Sequence, residues 1–448
     1  MKYTINLITI ITFAFFTQAC TKTEEKKPNI ILIMADDLGY GELSCYGSPT
    51  VKTPNIDKLA SQGVRFTDFH SNGPVCSPTR AALMTGKYQQ RTGVEGVITA
   101  ANHRHVGLSL NEITLAEELK SHGYSCGMYG KWHLGYAKEF NPSFQGFDHF
   151  VGFVSGNIDY HSHIDQEGYL DWWNDTIIND EKGYSTDLIT KYGVEFIKNN
   201  NPNKTGKPFF LYLPQEAPHY PIQGRNDAPV RKEGSKKYIR KVANDSVPII
   251  YTEMIETMDE GVGDIMKTLT LEGLDENTIV IFCSDNGAAG NRGDNGVLRD
   301  SKGSVYEGGH RVPGIVWYPG KIRAGTVCNT PVIGMDFFPT LLDFAGGKPS
   351  AENNDGVSLK NMMLNGTELP ERDLFWSFGN KNAIRSGEWK LVTIKNDENT
   401  SVELFNLEAD LSEKNDLSAA EPEITKDLLQ KLENWGNEVR VGVTSISN

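Results

Sequence analysis

Four apolar runs, residues 29–34, 124–129, 208–213 and 278–283, each empty into a short polar group. Those groups are Asp36-Asp37, Lys131-x-His133, Pro218-His219 and Asp285-Asn286. Continuous apolar runs of this length read as strands covered on both faces. Helical stretches separate them. One has Pro54 in its first turn and closes at Gly63, and one opens on a Thr114–Glu117 capping box. Two more span about 185–199 and 252–271. Residues 64–69 alternate like a further strand. Helices alternating with apolar strands predict an α/β fold around a large, mostly parallel sheet. In such sheets, sites form beyond the carboxyl ends of the strands, and there all four polar groups converge. Adjacent carboxylates at the end of a buried strand also require cations or donors to meet them.

A fifth segment points to the same place. After Pro78 the residues Ala81, Ala82, Leu83 and Met84 favour a helix, which puts Cys76 at or just before a helix N-terminus. Free N–H groups, the helix dipole and Arg80 about one turn in favour an anion there. Cys76 is either a reactive centre facing an anionic substrate or a small buried thiol. The chain carries a net charge of −14. That excludes nucleic acid as the main partner, because a phosphate-binding face needs clustered Lys and Arg. Of the six cysteines none forms a CxxC pair, so zinc ligation by Cys is not indicated. Cys126 and Cys283, inside apolar runs, are expected to be buried thiols.

The ends of the 448-residue chain differ from its middle. A charged start, an apolar core at residues 5–16 and Ala19 before Cys20 predict an export signal over residues 1–20. A lipid on Cys20 would be the only link to a membrane, with residues 21–27 as a polar tether. The catalytic α/β domain is expected over 28–346. From 347 to 448, short strands at 374–378, 383–386, 389–394 and 402–407 and a helix at 421–435 predict a smaller antiparallel sheet with one helix.

Taken together, the motifs resemble those of the type I, formylglycine-dependent sulfatases of the alkaline phosphatase superfamily. Cys76-Ser77-Pro78-Thr79-Arg80 followed by Thr85-Gly86 is similar to the modification signature. Asp36-Asp37, Gly130-Lys131-Trp132-His133, Pro218-His219, Ser284-Asp285-Asn286-Gly287 and Lys302-Gly303 follow in family order. The resemblance implies an alkaline-phosphatase-like fold. It implies that a maturation enzyme oxidises Cys76 to formylglycine, whose hydrate is the nucleophile. It places Arg80, Lys131 and Lys302 on the sulfate, His133 as the base for sulfate release, and His219 as the acid for the leaving alcohol. Asp36, Asp37, Asp285, Asn286 and the modified residue 76 are the implied metal ligands. Oxygen donors without nitrogen or sulfur suit Ca²⁺ more than Mg²⁺.

The expected substrate is a sulfated sugar or oligosaccharide, attacked from its end in the periplasm or cell envelope during polysaccharide degradation. Ser155, Asp159, His161 and Trp172 are candidate sugar contacts, Trp172 and Trp173 alternatively plugging the core edge. His103, Arg104 and His105 form a second candidate loop. Two rival functions are phosphodiester or phosphonate hydrolysis by the same superfamily chemistry, and glycan binding without catalysis if Cys76 stays unmodified.

Overall fold

The structure is a computed structural model that describes residues 26–290, 292–350, 354–397 and 399–446. The expected export signal and the Cys20 lipid site lie outside these residues. Among those described, no helix is long and apolar enough to cross a membrane.

In chain order the strands are β1 (Asn29–Ala35), β2 (Val64–Phe66), β3 (Phe69–His70), β4 (Ser125–Lys131), β5 (His149–Phe153), β6 (Trp173–Asn174), β7 (Ile177–Ile178) and β8 (Phe209–Pro214). They continue as β9 (Thr278–Ser284), β10 (Gly314–Trp317), β11 (Thr326–Cys328), β12 (Val332–Ile333), β13 (Asp373–Phe378), β14 (Lys381–Ser386), β15 (Trp389–Asn396) and β16 (Asn399–Asn406). Ten of them make one sheet in the order β11-β2-β10-β9-β1-β8-β4-β5-β6-β7. Its centre, β9-β1-β8-β4-β5, is parallel throughout. Alternate residues of β1 explain its unbroken apolar run. Ile30, Leu32 and Met34 pack into the core on one face, while Ile31, Ile33 and Ala35 pack into the core on the other.

Register brings the polar ends together. Ala35 pairs with Ser284, so Asp36 and Asp285 leave adjacent strands side by side. Met34 pairs with Pro214, and the Asp36 amide donates to the Ala217 carbonyl at 3.1 Å, tying in the loop that carries His219. The Thr114 capping box forms as expected. The helix Ser185–Asn199 has the expected bounds, whereas Val247–Leu271 starts a turn earlier than expected, with Pro248 in its first turn. Residues 64–69 are not one strand. The chain breaks between β2 and β3, where Asp68 turns inward to meet Arg311 and Arg385.

The C-terminal strands β13–β16 form an antiparallel sheet, against which the helix Pro422–Glu438 buries Leu428, Leu432 and Trp435. Leu359 and Met363, although they follow residue 346, pack in the core of the large sheet. Buried ion pairs join the two parts. Asp68 receives Arg385 of β14 at 2.6 Å, and Lys390 of β15 bonds Glu307 at 2.9 Å and lies 3.2 Å from His310. Burial pushes the Asp68 carboxyl up, but His70, Arg311 and Arg385 outweigh it and hold the group at about 2, against 3.8 for a free side chain. Its charge therefore stabilises the fold above pH 3.8, and that stability is lost as pH falls toward 2. Asp68→Asn is expected to cost about 2–3 kcal/mol at pH 7. Thermal melts should show the gap from wild type closing between pH 5 and pH 2; a gap independent of pH would refute the ion-pair account.

Candidate active site

The helix Cys76–Thr85 begins at Cys76, with Val75 as its extended N-cap, and all ten of its residues are buried. Cys76 thus occupies the first turn rather than the position before it. Its Sγ lies 3.4 Å from Asp36 Oδ1 and 3.3 Å from Lys302 Nζ. One turn on, Arg80 donates through Nε and Nη2 to Asp285 Oδ2 at 3.2 and 2.8 Å, and through Nη1 to the Lys131 carbonyl at 3.0 Å. Lys131 Nζ bonds Asp36 Oδ2 at 2.6 Å, and Lys302 Nζ bonds Asp37 Oδ1 at 2.5 Å. Three carboxylates and three cations therefore share one buried cluster in a balanced set.

The environment disqualifies Cys76 as a thiolate nucleophile. Burial pushes its thiol up to about 12, with Asp285 adding to the push and Lys131 and Lys302 opposing it. A nucleophilic thiolate needs the opposite shift. Burial likewise pushes Asp36 up to about 7, against the pull of Lys131. For Asp37 burial is outweighed by Lys302 and His219, which hold it below the usual carboxylate range.

Both histidines are neutral imidazoles, and their tautomers follow from their partners. Burial, then Lys131 and Arg80, hold His133 well below its ordinary value. Its Nε2 faces the Ile98 carbonyl at 2.9 Å, so Nε2 carries the hydrogen and Nδ1 keeps a lone pair. That Nδ1 is buried with no partner. Burial also lowers His219 well below its ordinary value, Asp37 opposing and Lys302 reinforcing the shift. Its Nδ1 donates to the Tyr220 carbonyl at 2.7 Å, leaving Nε2 free, 3.6 Å from Asp37 Oδ2. Lys131 and His133 are two residues apart, a spacing that would aim both side chains alike on an extended segment. Instead β4 ends at Lys131, and His133 adopts a left-handed backbone with φ of 58°.

Several of these side chains lie close enough together to hold a metal ion. Asp36, Asp37, Cys76 and His219 offer atoms all within 4.8 Å of one another. Asn286 donates through Nδ2 to Asp37 Oδ1 at 2.8 Å, while its Oδ1 is buried without a partner. A buried oxygen without a hydrogen-bond partner, beside carboxylates, has the chemistry of a cation ligand. Gly287 serves close approach here: a Cβ would lie 1.9 Å from the Gly308 carbonyl oxygen.

Asp37, Cys76, His133, His219 and Lys302 open onto a cavity of about 560 Å³. Of the four candidate sugar contacts only Ser155 lines it. The other three are corrected. Asp159 is fully buried and accepts the amides of His161, Ser162, Val230 and Arg231. His161 bonds the Gly224 carbonyl. Trp172 is a core plug stacked on His163 at 4.5 Å. In the second candidate loop, His103 receives the Thr99 amide and Arg104 pairs with Asp165; neither they nor His105 line the cavity. Sequence reasoning missed Tyr136, Tyr220 and Arg292, which do. Tyr220 follows His219 directly, the one local signal that pointed to it.

The sulfatase family model matches residues 28–347, and that of the N-sulphoglucosamine sulphohydrolase C-terminal region matches 298–438. N-acetylgalactosamine-6-sulfatase of Mus musculus is 34% identical over 81% of this chain and 71% of that protein. Arylsulfatase A of Homo sapiens is 34% identical over 82% and 74%. Ps i-CgsB, solved in complex with k-i-k-neocarrahexaose, superposes with a TM-score of 0.81 at 30% identity, covering 92% of this chain and 93% of the other. BT4656, solved with its substrate D-glucosamine-2-N,6-O-disulfate, superposes with a TM-score of 0.74 at 25% identity over 94% and 100%.

Proposed function

This chain belongs to the sulfatase family of the alkaline phosphatase superfamily and is a sulfuric ester hydrolase, and from that premise we propose that it removes sulfate from sulfated carbohydrate through an oxygen nucleophile made at position 76. The observation that carries this reading is the placement of Cys76. It begins the buried helix, sits between Asp36 and Lys302, and opens onto the cavity. The sugar-bound state of the structural relatives supports carbohydrate as the substrate.

The steps follow from the side chains. A maturation enzyme oxidises Cys76 to formylglycine, and water adds to the aldehyde. One hydroxyl of the diol gives its proton to Asp36, whose Oδ1 lies 3.4 Å from the side chain at position 76, and attacks sulfur as the bond from sulfur to the sugar oxygen breaks. As the ester enters, its negative charge raises the proton affinity of the neutral His219 imidazole, Nε2 takes up a proton from water, and it passes that proton to the departing sugar oxygen. Lys302, between Asp37 and position 76, assists on the same side. The second hydroxyl then yields its proton to the free Nδ1 of His133, sulfate departs, and the aldehyde returns. Arg80, Lys131 and Lys302 hold fixed positive charge where the sulfate oxygens gather electrons. Asp36, Asp37, Asp285, Asn286 and the oxygen at position 76 would hold Ca²⁺, which supplies further positive charge and acidifies bound hydroxyls.

Residues 28–346 form the catalytic unit in this reading, with 347–448 packed on it. The cavity of about 560 Å³ at position 76 suits attack on a sulfated end residue. An export signal and a lipid on Cys20 would hold the enzyme in the cell envelope.

The reading is tested by comparing matured protein on a sulfate monoester and a phosphate diester; a clear preference for the diester would refute it. His219→Ala sharpens the test. Its kcat on a sugar sulfate, whose alcohol needs a proton, is expected to fall about 10²–10⁴-fold. Its kcat on 4-nitrophenyl sulfate should fall far less, because the phenolate leaves unaided. Equal losses on both would remove His219 from the acid role.

A further inference from the structure

The cations around position 76 are committed. Arg80 is paired with Asp285, Lys131 with Asp36, and Lys302 with Asp37. The cavity has one more cation in its wall, Arg292. Among the described residues no carboxylate lies within ion-pair distance of it. Glu167, an acid in the same wall, is taken by Lys236.

Arg292 is exposed at the cavity rim, and ring contacts give its guanidinium a direction. Its guanidinium lies over the Tyr220 ring at 5.2 Å from the centroid. Tyr220 is stacked in turn on His219, with centroids 4.3 Å apart and planes at 28°. Gln166 donates to the Tyr220 hydroxyl at 2.8 Å and fixes the ring. Guanidinium, phenol and imidazole thus form one stack leading to the group that protonates the leaving oxygen. Cation–π contact orients the fork without consuming its N–H donors. An uncommitted fork on the leaving-group side, in a protein of net charge −14, is matched by an anion carried on the substrate.

We propose that Arg292 is a specificity residue that selects sugars bearing a second anionic group, a carboxylate or a sulfate, on the leaving-alcohol side of the scissile ester. This rests on the sulfatase reading above. A planar carboxylate or sulfate accepts two parallel N–H bonds from the fork, whereas a neutral hydroxyl accepts one at most.

The test uses matched pairs sharing one scissile sulfate. Glucosamine 6-sulfate against glucosamine 2-N,6-O-disulfate probes the sulfate source. N-acetylgalactosamine 6-sulfate, free or joined to glucuronic acid, probes the carboxylate source. Galactose sulfates of each kind complete the panel. Wild type is expected to favour the anion-bearing member of at least one pair by about ten- to hundred-fold in kcat/KM, mainly through KM. In Arg292→Ala that ratio should fall toward one, and Arg292→Lys should restore part of it as a point charge without the fork. A wild type with no preference for the anion-bearing member of any pair overturns the proposal. So does Arg292→Ala losing both members alike. Turnover of 4-nitrophenyl sulfate by the wild type is read in parallel: its absence would count against the sulfatase reading itself, not against Arg292 alone.

Discussion

Cys76→Ala is expected to lower sugar-sulfate turnover by about 10⁴-fold or more, leaving only what positioning and fixed charge contribute without a nucleophile. The substituted side chain is smaller and apolar, and it leaves the three ion pairs of the cluster in place. Folding and substrate binding should therefore persist, as a thermal melt and sugar-sulfate titration would show. Cys76→Ser separates the two halves of the reaction. A lone serine hydroxyl can attack sulfur and release the alcohol, but it has no second hydroxyl from which to expel sulfate. The expected result is a single partial turnover that ends with sulfate fixed on residue 76, visible in the peptide mass. The same measurement on active wild type should show sulfur and two hydrogens of Cys76 replaced by one oxygen. Wild-type turnover in either variant, or active protein with an unaltered thiol, would rule out the oxygen nucleophile.

Lys131→Met should be the next most damaging change. Lys131 is fully buried, and its ammonium is the closest cation to Asp36. Its carbonyl also receives Arg80. Methionine fills a similar volume but leaves Asp36 buried without its counter-charge, at a cost of about 3–5 kcal/mol in stability. The cluster also loses a fixed positive charge where a sulfate must sit. Loss of one preorganised charge of this kind costs about 10²–10³ in kcat. Lys131→Arg distinguishes the two effects: it keeps the charge and should recover most of the melting temperature. It cannot place a compact ammonium 2.6 Å from Asp36 Oδ2, so activity should stay low. Inorganic sulfate, a product, should inhibit Lys131→Met more weakly than wild type. Full activity in the Met variant would exclude Lys131 from the sulfate pocket.

The chemistry was legible in the sequence where it sits at strand ends, because a strand that stops at a fixed residue delivers the next two side chains to a known edge. Asp36, Lys131 and Asp285 were found in this way, and register then set them against one another. The His133 backbone was not legible, since its left-handed turn follows a strand end with no warning beyond the neighbouring glycines. The substrate wall was the least legible. Asp159 and Trp172 have the composition of sugar contacts, but composition does not say which way a loop faces. Here the carboxylate caps four amides and the indole fills the core. Tyr136 and Arg292 reach the cavity from segments with no periodic signal at all. The four strands of the C-terminal sheet were legible with bounds within three residues, because short alternating strands between polar turns declare themselves locally.

The complete burial of the helix Cys76–Thr85 bears on when, rather than how, this enzyme becomes active. A catalyst that oxidises a cysteine must grip the residues around it, and in the folded chain every residue from Val75 to Thr85 is enclosed. If residue 76 is oxidised as proposed, that oxidation comes before folding closes over the site. The order of events fixes the outcome: a molecule that folds first is stranded, correctly shaped and inert, and later contact with the maturation catalyst cannot recruit it. Specific activity of a preparation would then record how its synthesis was timed, and only unfolding and a second passage would raise it.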